Sequence, residues 1–130
     1  MVFGPPRDRA DPFDPLTVRA SMGAMLGLDV IATSHQEFRR WNRRFEGTVL
    51  AATGEATRDY RSVSYRRPVV LMLGHERSGL SEAQRITCDH EVRIPMSGPT
   101  DSLNVAMAGT VLMYEAYGQR NPVESPRRRR

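Results

Sequence analysis

The chain has 130 residues, 39% of them hydrophobic, with 19 basic side chains against 15 acidic ones and a formal net charge of +4. All the basic residues are arginine, and removing Arg127–Arg130 leaves 15 arginines against 15 acids, so the calculated pI of 10.0 describes a tail rather than a basic body. The length suits one domain with a real core. The longest central apolar run, Val69–Leu73, is far too short to span a bilayer, and one cysteine, Cys88, excludes an internal disulfide.

Residues 1–10 are rich in proline and alternate Arg with Asp, which predicts an extended lead-in before a domain over 11–120. A helix is expected from Pro15, with Asp14 as its N-cap and a small-residue face of Leu16, Ala20, Gly23, Ala24 and Gly27. Val30–Ala32 reads as a short strand. Ser34 then caps a second helix in which Phe38, Trp41 and Phe45 recur as core positions. Thr48–Ala52 and Val69–Leu73 read as strands, joined by a polar connection over Gly54–Arg67. A short helix follows from Ser81, Glu91–Ile94 alternates like a strand, and a final helix is expected over Ser102–Tyr117. Its apolar stripe is Leu103, Met107, Val111 and Tyr114. Residues 121–130 form a charged, proline-containing tail expected to be disordered. Strands separated by helices predict an α/β fold with a mainly parallel sheet flanked by helices.

Two loops carry the chemistry. The first, Gly74-His75-Glu76-Arg77-Ser78-Gly79-Leu80-Ser81, leaves a strand and enters a helix, where backbone amides can meet a ligand. Its spacing imitates a phosphate-binding P-loop, but Leu80 stands in place of the required lysine and Glu76 would repel phosphate. The alternative is a tight turn that uses its glycines for backbone geometry alone. The second, Pro95 to Val105, stops at a proline and re-enters a helix with Ser102 or Asp101 as cap and Asn104 in the first turn. Capping accounts for Ser102, and a local backbone bond for Asn104, without any ligand. In one parallel sheet both loops leave the carboxyl ends of strands, where such sheets bind ligands. Leu73, Ile94, Met96 and Leu103 would give an apolar rim suited to a flat uncharged ring such as adenine.

Leu-Gly-His-Glu-Arg-Ser-Gly-Leu at 73–80, Ile-Pro-Met-Ser-Gly at 94–98 and Ser-Leu-Asn-Val-Ala at 102–106 resemble motifs 2 and 3 of the SpoU (TrmH-like) RNA methyltransferases of the SPOUT superfamily. Asp-Pro-Phe-Asp-Pro at 11–15 and Arg-Ala-Ser-Met-Gly-Ala at 19–24 are similar to the segment preceding those motifs. The resemblance implies an α/β fold with a C-terminal trefoil knot, a homodimer, S-adenosyl-L-methionine as cofactor, and methylation of a ribose 2′-hydroxyl in tRNA or rRNA. By motif position, Leu73, Gly74, Gly79, Ile94, Met96 and Leu103 would bind the cofactor. Glu76, Ser102 and Asn104 fall on the family's polar site positions and would orient cofactor and acceptor ribose. The family's motif 1, an asparagine-containing stretch leading to an arginine, finds no match in residues 1–10, and the first strand and helix of the domain are not found there either. The expectation is therefore an N-terminally shortened RNA 2′-O-methyltransferase-like protein, cytoplasmic and without a metal. The alternative is a catalytically impaired, knotted cofactor-binding or dimerisation module.

Arg39, Arg40, Arg43 and Arg44 read as a solvated helix face, with RNA phosphate contact as the alternative. Cys88, Asp89 and His90 lie too close together in sequence to build a metal site alone. His75 is either a group that titrates beside the cofactor or an exposed loop residue.

Overall fold

The computed structural model describes residues 2–3, 11–75, 78–98 and 102–122. The chain divides into two compact units, residues 1–44 and 45–130.

In the first unit, β1 (Val2–Phe3) pairs in parallel with β2 (Ile31–Ala32), so the expected lead-in holds a strand. Helix α1 spans Pro15–Ala20, and Asp14 caps it by accepting the Leu16 N–H at 2.8 Å. The expected run to Gly27 breaks after Ala20. Met22 and Gly23 take left-handed backbone (φ 49° and 87°), and a 3-10 turn, Ala24–Gly27, resumes beyond them. Helix α2 (His35–Asn42) opens on a capping box in which Ser34 and Glu37 satisfy each other's backbone N–H groups. These bonds hold the Glu37 carboxyl below its usual range. Of the three aromatics expected in the core, Phe38 is buried, Trp41 is half exposed at 49%, and Phe45 lies beyond the helix. The short α2 has too few turns to bury a stripe of three.

The second unit carries a parallel sheet in the order β4-β3-β5, formed by β3 (Thr48–Ala52), β4 (Val69–Leu73) and β5 (His90–Val92). The central strand reads Thr-Val-Leu-Ala-Ala, and its Val49, Leu50 and Ala51 are buried, as a strand covered on both faces requires. Strand β4 is only half buried along its length, because it stands at the edge of this sheet. Asp89 sets the start of the ladder: its Oδ2 accepts the Val49 N–H at 2.7 Å, and its own N–H donates to the Val49 carbonyl at 2.8 Å. The expected strand over Glu91–Ile94 begins one residue earlier and ends at Val92. Arg93 turns away to bond the other loop, donating to the Arg58 carbonyl and accepting from the Tyr60 N–H.

The core cluster joins Leu50 and Val92 from the sheet to Leu112 from helix α4 (Val105–Arg120) and to Val63 and Tyr65. The last two lie in the segment expected to be a polar connection. Tyr65 is fully buried, which pushes its phenol up to about 12, and its hydroxyl donates to the Tyr60 carbonyl at 2.9 Å. The side chains of α4 answer the surrounding backbone. Gln119 Oε1 accepts the Tyr65 N–H at 3.0 Å while its Nε2 donates to Val63, and Arg120 donates to the carbonyls of Tyr65 and Arg67.

Helix α4 corrects the expected start and stripe. Asn104 caps it, accepting the Ala106 N–H at 2.9 Å, in place of Ser102; Asp101 lies outside the described residues. Gly109 and Leu112 are buried, with Val105, Ala108 and Ala116 half buried beside them. Met107 and Tyr114, from the expected stripe, are 59% and 73% exposed. The helix is apolar nearly all round, so helical spacing alone fits both faces.

Gln119→Ala leaves the buried Tyr65 N–H without its acceptor and is expected to cost about 1–3 kcal/mol, read from urea denaturation midpoints at constant slope.

Candidate functional site

The carboxyl ends of β3, β4 and β5 open onto one cavity of about 360 Å³. Three chain segments wall it: Ala52–Gly54 after β3, Leu73–His75 with Gly79–Leu80 after β4, and Val92, Ile94 and Met96 after β5. The entry to α4 closes it with Ser102, Leu103, Asn104, Val105 and Ala108. Every site residue expected from sequence that lies among the described residues lines this one space: Leu73, Gly74, Gly79, Ile94, Met96, Ser102, Leu103 and Asn104. Glu76 lies outside the described residues. Sequence reasoning missed the β3 exit, Ala52–Gly54, together with Val92, Val105 and Ala108. The rule that selected the other two loops, the carboxyl end of a parallel strand, applies equally to Ala52.

The β4 loop is a closed lasso. His75 and Gly79 pair as an isolated antiparallel bridge, with N–H to carbonyl distances of 3.1 and 2.8 Å. Its two glycines do different work. Gly79 sits at φ 64°, a conformation that glycine adopts without strain. Gly74 has no positive φ; a Cβ there would run into the Gly79 carbonyl carbon and the Leu80 amide nitrogen. The returning strand of the lasso thus passes directly over Gly74, and the cavity wall depends on the missing side chain. Beyond the lasso, Ser81 and Gln84 form a capping box at the start of α3 (Glu82–Arg85).

On the far wall, Gly109 of α4 faces Leu73: a Cβ on Gly109 would stand 3.0 Å from Leu73 Cδ1. That contact seats α4 against β4 and aims its N-terminal turn at the cavity. Asn104 commits its side-chain oxygen to the Ala106 N–H, which fixes the direction of its amide.

The loops are tied behind the cavity by an ionic clamp. Arg85 donates from Nε and Nη2 to both oxygens of Glu91 at 2.8 Å, a forked pair, and from Nη1 to Glu55 at 2.7 Å. One guanidinium thereby joins α3, β5 and the loop after β3. The Arg85 hydrogen bonds hold the Glu91 carboxyl below its usual value, while burial pushes the Cys88 thiol up to about 11. The thiol therefore stays protonated at neutral pH, and no cluster of three or more potential metal ligands exists among the described residues.

Glu91 has a folded-state pKa below its unfolded value near 4.5, so its ion pair stabilises the fold above that pH and is lost as pH falls through the folded value. Thermal melts between about pH 3 and 6 should show this loss on acidification. Glu37 and Asp59 titrate in the same direction, so the decisive comparison is with Glu91→Gln, which should flatten the acid limb relative to the parent.

Comparison with known proteins matches this arrangement. The model of the SpoU rRNA Methylase family covers residues 2–114. A 23S rRNA (uridine(2479)-2′-O)-methyltransferase from Streptomyces viridochromogenes is 41% identical over 117 residues, covering 85% of this chain and 41% of that protein. A tRNA (guanosine(18)-2′-O)-methyltransferase from Thermus thermophilus is 37% identical over 86 residues, 66% of this chain and 44% of that one. Among solved structures, an AdoMet-bound rRNA methyltransferase from Sinorhizobium meliloti superposes with a TM-score of 0.82 at 34% identity, over 88% of this chain and 44% of its own. The chain thus spans less than half the length of these relatives. With two site loops in register and a family match running from its second residue through most of α4, the chain belongs to the SpoU rRNA methylase family.

Proposed function

We propose that this chain binds S-adenosyl-L-methionine in the cavity at the carboxyl ends of β3, β4 and β5 and serves transfer of its methyl group to a ribose 2′-hydroxyl of tRNA or rRNA. The observation that carries this reading is the convergence of eight motif residues, from three separate segments, on one cavity. The residues fit the cofactor. Leu73, Ile94, Met96 and Leu103 offer apolar surface for an adenine-sized ring, while the lasso and the α4 entry offer backbone groups at its edge. Gly74 admits no side chain because the returning backbone of the lasso lies over it, which keeps the β4 wall closed.

The bound cofactor supplies an electrophilic methyl group on a sulfonium centre. The protein's own part is binding and orientation. Gly74, Gly79, Ile94 and Leu103 hold the cofactor through their backbones, and Met96 covers it. The Ser102 hydroxyl, the Asn104 amide and the Glu76 carboxylate orient the cofactor and the acceptor ribose, without forming a bond to either. Asn104 is suited to this because its capping bond fixes the side chain before any ligand arrives.

A homodimer and a trefoil knot belong to the same reading. Support for the dimer comes from the second apolar face of α4, where Met107, Tyr114 and Tyr117 stand exposed opposite the core. Support for the knot comes from residues 58–60, whose backbone bonds to Arg93 make the chain leaving β3 run beside the chain leaving β5.

Calorimetric titration with S-adenosyl-L-methionine is expected to show saturable binding, abolished by Leu103→Asp, at a partly exposed position, and by Gly74→Trp. No heat at millimolar ligand would overturn the assignment. Transfer of a tritiated methyl group to bulk tRNA or rRNA then separates the enzyme from a cofactor-binding or dimerisation module, which would bind without transfer.

A further inference from the structure

A second cavity, of about 670 Å³, opens beside the first and shares Thr53, Gly54, Gly79, Ile94 and Met96 with it. Its own walls are Glu55, Ser78, Arg93, Pro95 and Gly98. We infer that this second cavity is the acceptor-nucleotide subsite, and that Arg93 positions the RNA there by holding a phosphate next to the target ribose. The inference rests on the proposed methyl transfer to RNA and adds the place and the recognition chemistry of the acceptor.

Three observations converge. The first is contiguity. A hydroxyl that receives a methyl group must reach the donor directly, so an acceptor site has to share a wall with the cofactor cavity, and five residues are common to both.

The second is charge. Every ribose within an RNA strand is flanked by phosphates, so its site needs a cation available to an anion. Three other arginines of this unit are already committed: Arg85 to Glu91 and Glu55, Arg61 to Asp59, and Arg120 to backbone carbonyls. Arg93 is exposed and makes no side-chain hydrogen bond or ion pair among the described residues, with Asp59 as a more distant opposite charge. The Glu55 carboxylate in the same wall is neutralised by Arg85 at 2.7 Å, so it does not stand against a phosphate uncompensated.

The third is preorganisation. The Arg93 backbone is held on both sides, by the Arg58 carbonyl at 2.9 Å and the Tyr60 N–H at 3.0 Å, in a parallel bridge with Asp59. Its guanidinium therefore starts from a fixed base at the cavity edge, and the planar fork suits a phosphate.

Arg93→Gln is expected to weaken binding of bulk tRNA or rRNA roughly tenfold and to reduce the slope of log affinity against log salt by about 1. Arg93→Lys should restore the slope, because it restores the charge. Ser78→Tyr, which fills the second cavity from a residue that does not line the first, should block RNA binding. All three variants should keep the parent's melting temperature and its calorimetric affinity for S-adenosyl-L-methionine. If the parent binds no S-adenosyl-L-methionine, the functional reading falls and this inference with it. If the parent binds cofactor and RNA but Arg93→Gln leaves RNA affinity and salt slope unchanged, the functional reading stands and the acceptor subsite is wrong.

Discussion

Residues 63–67 carry peptide groups into the interior without belonging to a helix or a sheet, and the last turn of α4 receives them. Gln119 bridges Val63 and Tyr65 with both ends of its amide, and Arg120 takes the carbonyls of Tyr65 and Arg67. A buried peptide group left unpaired costs as much as a lost hydrogen bond, so these two side chains decide whether the segment can be interior at all. With them in place, Tyr65 fills the centre of the core against Leu50, Val92 and Leu112. The same clasp anchors one end of α4, whose other end lines the cavity.

The sheet contributes a second constraint. Its three strands run parallel and in register, with Ala52 opposite both Leu73 and Val92. Parallel pairing brings all three exits to the same edge, which is why segments far apart in sequence wall one cavity. The Arg85 clamp then fixes the loops relative to one another on the outer side, while Gly109 against Leu73 fixes α4 on the inner side. The site is held between an ionic tie and an apolar contact, and of the residues that make them Leu73 also lines the first cavity and Glu55 the second.

Much of this was legible in the residues. The β-branched run Val69-Val70 and the Thr48–Ala52 strand could be read because continuous apolar segments bounded by turns have few alternatives. The glycine lasso and the α4 entry were legible as motifs. Three features were not. The Gly54–Arg67 segment looks polar because its buried members, Ala56, Val63 and Tyr65, are scattered without a period, and the backbone of Val63 and Tyr65 is satisfied by α4 side chains about 55 positions away. The spacing of α4 fits either face, because both are apolar and only packing chooses between them. The small residues from Pro15 to Gly27 suit one continuous helix, but Met22 and Gly23 leave that conformation altogether.

The contact between Gly109 and Leu73 bears on how the cavity can change in the course of evolution or design. Gly74 and Leu73 belong to walls that already touch backbone or helix on their far side, so any added volume there is transmitted straight into the packing. Met96 is different: it stands at the rim, 37% exposed, on a flexible unbranched side chain. The cavity therefore has rigid walls and one adaptable lip. Variation in the size or shape of what it accommodates is open at Met96 and closed at Gly74, so tuning and core integrity are assigned to different residues.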